Sequence, residues 1–598
     1  MQPVDFTTLT AACAELRAEW LPARLEQVYQ RDRHTLSLAL RTIDRRAWLT
    51  LSWHPQAARV CIDDPPPRSP DTFTFSQQLR HQLNGLALVA IEAIAPWERA
   101  LDFRFARRPG DPALWHLYVE IMGKYSNVIL TTPDQQIVSV AHQVSTQQSS
   151  VRAVLTGQPY EFPPALTDPA PSLEEPQERW QERLSLIPYP LQRSLLKNYR
   201  GLSTVLARTL VQAAGLNPNQ LTDSLSEADW ARLFQRWHEW LRSLNSGHFQ
   251  PGWLTEGYTV MGWGAVRPAA SVHEVLRHYY RDQLDRQDFV QLHHQISQRL
   301  TGLLKKLYVK AADFRARLQQ SDGADDYKAQ ADLLMAYLHE WQPGMVVINL
   351  ADFSTGETIA IRLDPEKNAV QNAQALYKRH QKLKRSRAAI EPLLADVQSE
   401  IDYLEQVEVA LALADQPAIA PASAEVNSAL PAEHRPTHDL TTLTEIRDEL
   451  IQQGYLNDPD QRYRSAPAEQ TENYLRYQTP SGFEVWIGRN NRQNDILTFR
   501  VAGDYDLWFH SQEIPGSHVL LRLTPGAVPD ERDLQFTANL AAYHSRARQS
   551  DQVPVIYTEP KHVYKPKGAK PGIAIYKHER IIWGKPGGIS GQGEKGEG

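Results

Sequence analysis

Three segments gather side chains suited to holding an anionic or hydrogen-bonding partner. Lys378, Arg379, Lys382, Lys384, Arg385 and Arg387 put six cations into ten residues beside His380, with no carboxylate in the run. A solvated helix face is one reading of such a run, and contact with nucleic-acid phosphate is the other. Lys561-His562-Val563-Tyr564-Lys565-Pro566-Lys567-Gly568-Ala569-Lys570-Pro571-Gly572 alternates cations with proline and glycine, which predicts a stiffened, non-helical loop. It suits RNA phosphates, with Tyr564 stacking on a base; the alternative is a loop kept basic for solubility. The third segment, Gly488-Arg489-Asn490-Asn491-Arg492-Gln493-Asn494-Asp495, concentrates amides on a predicted loop. They would read base edges or 2′-hydroxyls, or else stabilise turns through Asx hydrogen bonds.

Catalytic patterns are absent. The sequence holds no G-x-x-x-x-G-K, no G-x-S-x-G and no H-E-x-x-H. Cys13 and Cys61 are its two cysteines, too few for a disulfide framework or a four-thiolate zinc site. No catalytic residue, metal or cofactor is therefore assigned. His510 and His518 flank Ile514-Pro515-Gly516-Ser517; they read as ligands of a tight loop or a phosphate, with metal or acid–base roles as the alternative. Glu98-Arg99 and Glu120-Ile121-Met122-Gly123-Lys124-Tyr125-Ser126-Asn127 join charges to a glycine turn and read, on residue type alone, as surface pairs.

The elements that must position these segments follow from patterning. With 598 residues, 42% hydrophobic and 22% charged, about three to five domains are expected. The net charge of −6 hides the basic segments. No apolar run reaches the ~18 residues of a membrane span, the start lacks a secretory signal, and reduced, cytoplasmic surroundings are expected.

Residues 1–175 read as an α+β domain: a helix over 8–21, strands at 35–41, 47–52 and 58–63, a helix over 73–83, strands at 101–105 and 115–121, and a hairpin joining 127–130 to 137–140. Residues 186–250 read as short helices. Asn198–Ser203 forms a glycine turn, either a helix–hairpin–helix presenting backbone N–H groups to a phosphate or a plain helical hairpin. Residues 251–281 return to the first domain. Apolar spacing over 282–320 and again from Ile390 to Leu411 predicts one antiparallel coiled-coil arm, 282–414, with a strand-bearing insert at 342–366. Pro392 is expected to start or kink the second helix. A linker at 415–437, a short helix and connector at 438–469, an α+β domain at 470–586 and a disordered tail at 587–598 complete the α+β multidomain architecture.

At these segments the sequence resembles the NFACT family of ribosome quality control, the bacterial RqcH group formerly labelled fibronectin-binding protein A homologues. The resemblance is carried by Ser52-Trp53-His54-Pro55, Glu120 through Leu130, Leu155-Thr156-Gly157-Gln158-Pro159-Tyr160, Leu363-Asp364-Pro365, Gly488-Arg489-Asn490-Asn491, Asp506-Leu507-Trp508-Phe509-His510, Pro515-Gly516-Ser517-His518 and Lys565 through Gly572. It implies an NFACT-N domain similar to the N-terminal domain of formamidopyrimidine-DNA glycosylases, a helix–hairpin–helix, a coiled coil and a C-terminal NFACT-R domain.

It further implies a non-enzymatic factor. Such a factor binds large (50S) ribosomal subunits carrying peptidyl-tRNA and recruits charged tRNA, alanyl-tRNA in bacteria, for untemplated tailing of stalled nascent peptides. A heat-shock-protein-15-like RNA-binding partner assists. By this resemblance Glu98, Arg99, Glu120, Ile121, Met122, Lys124 and Arg80 contact tRNA. Lys378, Arg379, Lys382, Lys384, Arg385, Arg489, Asn490, Asn491, Gln493, Asn494, His510, His518, Lys561, Lys565, Lys567 and Lys570 contact 23S rRNA. Glu98 stands where the family has aspartate, and Lys124 where arginine is commoner. Glycosylases place proline directly after the initiator methionine, whereas here Gln2 precedes Pro3. An adhesin or a nucleic-acid-processing enzyme are the competing classes.

Overall fold

The computed structural model describes residues 1–66, 70–149, 151–164, 167–353, 355–415, 439–457 and 474–589. Most of the expected 415–437 linker, the connector beyond 457 and the tail beyond 589 lie outside the described residues. The protein divides into two units, Met1–Asp285 and Arg286–Gly598.

The first unit opens with α1 (Phe6–Trp20), whose N-cap Asp5 accepts from the Thr8 N–H. Strands β1 (Ala23–Asp32), β2 (Thr35–Arg41), β3 (Arg46–Ser52) and β4 (Arg59–Asp63) precede α2 (Thr74–Leu83). Then come β5 (Ala87–Ala93), β6 (Ala100–Ala106), β7 (Trp115–Glu120), β8 (Asn127–Thr131) and β9 (Ile137–Val140). They form one antiparallel sheet in the order β4-β3-β2-β1-β5-β6-β7-β8-β9. Sequence patterning omitted β1 and β5. In β1 a bulge between Leu25 and Gln27 shifts the alternation by one residue.

Helices α3 (Gln177–Ser185), α4 (Leu191–Asn198), α5 (Thr204–Ala213) and α6 (Glu227–Ser246) pack around Trp180, Trp230 and Trp237. The glycine turn between α4 and α5 is half-buried and faces inward. Gly201 has φ of +82°, a Cβ there would lie 2.5 Å from the Trp97 ring, and Ser203 donates to Asp5 Oδ2 at 2.5 Å. Three short strands, β10 (Gly252–Trp253), β11 (Tyr258–Thr259) and β12 (Arg267–Pro268), then lead to α7 (Val272–Asp322). Glu15 caps this helix by accepting from the Val272 N–H at 2.8 Å. Its first turns hold the N-terminal residues, for Tyr280 donates to Gln2 O at 2.6 Å. The helix therefore begins at Val272, not 282.

In the second unit α7 continues and α8 (Ala324–Ala336) follows; then β13 (Val347–Ala351) pairs antiparallel with β14 (Thr358–Arg362). The return helix α9 (Ala369–Ala414) starts on a capping box of Asn368 and Gln371. Tyr308 donates to Glu405, Arg315 to Gln398 (2.6 Å) and Arg387 to Asp322 (2.9 Å). Partners rise along α7 as they descend along α9, so the arm is antiparallel, sealed by Ile296, Leu300 and Leu304 against Ile401, Leu404 and Leu411. Pro392 lies mid-helix and does not start it. The residues before it escape the seam pattern because they pack on α8, through Tyr377 to Asp332 and Arg379 over Tyr327.

Beyond α10 (Leu440–Gln452), β15 (Leu475–Gln478), β16 (Glu484–Ile487) and α11 (Asn491–Ile496) open the last domain. It continues with β17 (Leu507–Ser511), β18 (Val519–Leu521), α12 (Glu531–Tyr543) and β19 (Val553–Thr558). A hairpin of β20 (Val563–Tyr564) and β21 (Ile575–Tyr576) and the strand β22 (Arg580–Gly584) end it. The sheet is antiparallel, in the order β15-β16-β18-β17-β19-β22.

Candidate nucleic-acid interface

Strand pairing brings two of the sequence segments together at one corner of the first sheet. Ala100 pairs with Glu120, and the Ile121 N–H donates to Arg99 O at 2.8 Å. The turn before β6 is held by Trp97, which takes φ of +67° and packs on Phe6 (4.8 Å) and Trp240 (5.7 Å). Glu98 is buried. Arg99 is half-buried and donates to Val4 O at 3.3 Å.

The carboxylate of Glu120 does not face solvent. It accepts from Arg152 in a buried ion pair and from the Tyr160 hydroxyl at 2.8 Å, while Tyr160 stacks on Tyr118 at 4.1 Å. Burial beside Glu120 pushes the Tyr160 pKa far up, so that hydroxyl stays protonated and donating. Ile121 is likewise buried. The end of β7 turns both side chains inward. What the anchor presents is the turn beyond it. The Met122 N–H donates to Ser126 Oγ (2.8 Å), Gly123 takes φ of +59°, and Lys124 and Tyr125 project, Tyr125 being 70% exposed. The Lys124 ammonium lies 5.0 Å from the Tyr125 ring. Arg80 forms its bonds elsewhere, to Val28 O and Asp71, each at 3.0 Å. Sequence reasoning did not tie Arg152 and Tyr160 to Glu120, because partners 32 and 40 residues away leave no local signal.

On the arm, Lys378, Lys382 and Arg385 follow four- and three-residue spacing and share one face of α9. With Lys384 they are exposed and, among the described residues, form no ion pair. The rest of the run is engaged. Arg379 sits over Tyr327 (4.6 Å), Arg387 pairs with Asp322 (2.9 Å) and Glu391 (2.8 Å), and His380 faces Asp325 (3.5 Å). A run free of carboxylates in sequence therefore meets them in space.

The amides of the last domain are not on an open loop. Asn490 caps α11, and Asn490, Asn491, Gln493 and Asn494 are each at most 5% exposed. Asn490 Nδ2 (2.6 Å) and Gln493 Nε2 (2.8 Å) both donate to Glu445 of α10, Asn494 Oδ1 accepts from the His518 N–H (3.0 Å), and Arg489 pairs with Asp439. Glu449, one turn after Glu445, accepts from the Tyr403 hydroxyl (2.7 Å) and the Arg492 N–H (3.2 Å); burial pushes its pKa up to about 7. These amides fasten the domain to α10 and α9, with their side chains turned away from solvent.

The basic loop is divided in the same way. Lys570 turns inward, its ammonium 4.5 Å and 4.9 Å from the Tyr455 and Tyr403 rings, and burial lowers its pKa. Lys565 pairs with Asp495 (2.6 Å), and Lys561 with Glu559. Lys567 is exposed and, among the described residues, unpaired; Tyr564 is 44% exposed. Gly572 backs onto Asn491, where a Cβ would come within 2.9 Å.

Burial keeps both histidines neutral. His518 bonds Thr498 Oγ1 (2.7 Å), which also accepts from the Trp508 indole (3.0 Å). Burial holds the His518 pKa well below its usual range and lowers that of His510 to about 4. Among the described residues no cluster of His, Cys, Asp or Glu is arranged to hold a metal ion. Nor is any helix there long and apolar enough to cross a membrane.

Residues 5–469 match the family described as NFACT N-terminal and middle domains, and residues 473–576 the NFACT protein RNA binding domain. The chain belongs to the NFACT family. Its NFACT relatives include the Rqc2 homolog RqcH of Bacillus subtilis (strain 168), 30% identical over 579 residues, 96% of each protein. That of Streptococcus suis (strain 05ZYH33) is 29% identical over 583 residues, 95% of each. Among solved structures, the C-terminal part of the fibronectin/fibrinogen-binding protein from Streptococcus suis is 28% identical (TM-score 0.36), covering 50% of this protein and 95% of that one. The N-terminal part of the same protein is 25% identical (TM-score 0.38), covering 46% and 99%. Lactococcus lactis Fpg bound to abasic DNA is 12% identical (TM-score 0.22), covering 44% and 84%.

Proposed function

We propose that this NFACT protein is a ribosome quality control factor. It binds obstructed large ribosomal subunits that carry peptidyl-tRNA and brings in charged tRNA, alanyl-tRNA by family resemblance, for untemplated C-terminal tailing of the stalled peptide. The observation that carries the reading is the match to both NFACT domain families and to RqcH relatives over nearly the whole sequence. The peptide bond would be made by the ribosome, so the protein's task is positioning. Two exposed groups of side chains support that task. Lys124, Tyr125 and the half-buried Met122 beside Arg99 would meet tRNA; Lys378, Lys382, Lys384 and Arg385, with Lys567, would meet 23S rRNA phosphates. A heat-shock-protein-15-like protein would be the partner on the subunit, and the setting would be the cytoplasm.

The test is co-sedimentation with 50S particles bearing peptidyl-tRNA, with sequencing of the co-purifying tRNA and mass spectrometry of the C-termini of stalled peptides. Binding to obstructed subunits together with an alanine-extended product is expected. Failure to bind such particles even at low ionic strength refutes the proposal.

A further inference from the structure

The insert in the arm carries a two-stranded sheet with one side packed and one side open. Ile348 and Leu350 of β13 and Ile361 of β14 pack on Leu333 and Leu334 of α8 and on Ala369 and Ala373 of α9. The alternate residues, Val347, Asn349, Ala351, Thr358, Ala360 and Arg362, are all exposed. Register also fixes where the backbone points. The Leu363 N–H donates to Val346 O and the Asp352 N–H to Glu357 O, each at 2.8 Å, so even-numbered residues of β13 make the bonds to β14. The N–H and C=O groups of Val347, Asn349 and Ala351 therefore point to the other edge, and among the described residues no strand pairs with it.

Proteins blunt such edges with charge, proline or a bulge, because an open edge is a template for another strand. β13 has none of these: Val347–Ala351 holds no charged residue and no proline, and its register is unbroken. Apolar groups stand at both ends of the edge, Val346 being 61% and Phe353 66% exposed. Two strands alone make a marginal sheet, and a third would add backbone bonds and cover these side chains. The free edge of β14 is less open to a cationic strand, since Arg362 stands on it.

Charge selects what the edge receives. Residues 324–368 hold eight Asp/Glu against three Lys/Arg, a net of −5 in a protein whose whole net charge is −6. Such a module repels RNA, and pairing with a second copy would set −5 against −5. A cationic strand is attracted instead.

We propose that the free edge of β13 binds an extended, basic segment of a partner protein by strand addition. The segment's backbone pairs with that of Val347, Asn349 and Ala351, its apolar side chains cover Val347 and its neighbours, and its Lys or Arg side chains meet the carboxylates of the module. This surface is acidic and distinct from the cationic groups assigned to RNA above, so the inference goes beyond that reading.

The experiment uses the full-length protein and a short fluorescein-labelled peptide alternating Lys with Val and Thr, read by anisotropy. Two controls accompany it: the same peptide with Glu for Lys, and the same peptide with alternate D-residues, which keeps the charge but cannot form a pleated strand. The all-L Lys peptide is expected to bind about tenfold or more tighter than either control. Hydrogen exchange should show new protection over residues 346–352 when it binds. Asn349→Pro removes one outward N–H and no bond to β14, so it should abolish binding and leave the melting temperature unchanged. Ala351→Lys, which keeps every backbone group, should weaken binding about threefold by setting a cation on the edge; it decides the matter if Asn349→Pro melts early. Equal affinity for the D-residue peptide, protection elsewhere than 346–352, or undiminished binding by Ala351→Lys overturns the proposal. Protection of 346–352 by an RNA oligonucleotide, or dimerisation of the wild type that Asn349→Pro abolishes, overturns it in favour of RNA or of a second copy.

Discussion

Replacing Glu449 with glutamine tests how the RNA-binding domain is fastened. The carboxyl sits in α10, is 3% exposed, and faces the Tyr403 hydroxyl of α9 and Arg492 and Asn491 of α11. Burial raises its pKa from 4.5 to about 7, and its hydrogen bonds recover only part of the cost of charge. A folded state that keeps a proton the unfolded state has lost becomes less stable as pH rises. The loss begins near 4.5, is complete by about 7, and amounts to about 3 kcal/mol. Glutamine has the same shape, never ionises, and still accepts from Tyr403. The assay is hydrogen exchange of the α10 amides from pH 5 to 8, corrected for intrinsic rates, because global unfolding of a multidomain protein is not two-state. Relative to Glu449→Gln, wild-type protection should fall on the order of a hundredfold across that window. Parallel profiles for the two proteins would refute the reasoning, since the cost of burying the charge would then be absent.

Arg152→Ala leaves the Glu120 carboxylate buried without its ion pair. The β7 turn should loosen at a cost of about 3–5 kcal/mol, and tRNA pull-down should fall while subunit co-sedimentation persists; Arg152→Lys should restore part of the capture. Changing Lys378, Lys382 and Arg385 together to glutamine should leave the melting temperature unchanged and flatten the log–log salt dependence of RNA binding by about two. Lys567→Ala should lower that slope by about one without loss of stability. Lys570→Ala should do the reverse: it removes an ammonium from two aromatic faces, so the melting temperature falls by an amount set by about 1–2 kcal/mol while the salt slope barely moves. Gly201→Ala should destabilise the first unit by more than about 1 kcal/mol in thermal unfolding, as the new Cβ would meet Trp97 at 2.5 Å in a left-handed backbone.

Much of the architecture was legible because it is local. The meander β2-β3-β4 shows as alternation, the β8–β9 hairpin as a polar turn between apolar runs, and α5 as Ser203 capping Leu206. What escaped had a physical cause in each case. The bulge in β1 breaks its period of two. The run Ala87–Ala93 is too alanine-rich to look extended. The first half of α9 has a cationic face and no seam, so on apolar spacing the helix reads as beginning near Pro392. The candidate site was less legible than the fold. Residue type singled out Lys378, Lys382 and Lys567, which the fold leaves exposed, whereas nothing near Asn490 or Gln493 reveals that Glu445, over forty residues upstream, claims their amides.

The same division explains how a net-acidic protein presents basic surfaces selectively. Its carboxylates are set against particular cations: Asp495 holds Lys565, Asp439 holds Arg489, and Asp322 with Glu391 holds Arg387. Each pairing removes one cation from the general field and leaves a neighbour exposed, as with Lys567 beside Lys565 and Arg385 beside Arg387. A surface built this way has few free charges at fixed positions and weak long-range attraction. Such an arrangement favours a ligand whose phosphates match that spacing over bulk RNA. On the proposed RNA-binding reading, fixing α11 onto α10 and α9 matters for recognition as much as for stability, because only a domain held still relative to the arm keeps the spacing between Lys567 and the Lys378–Arg385 face.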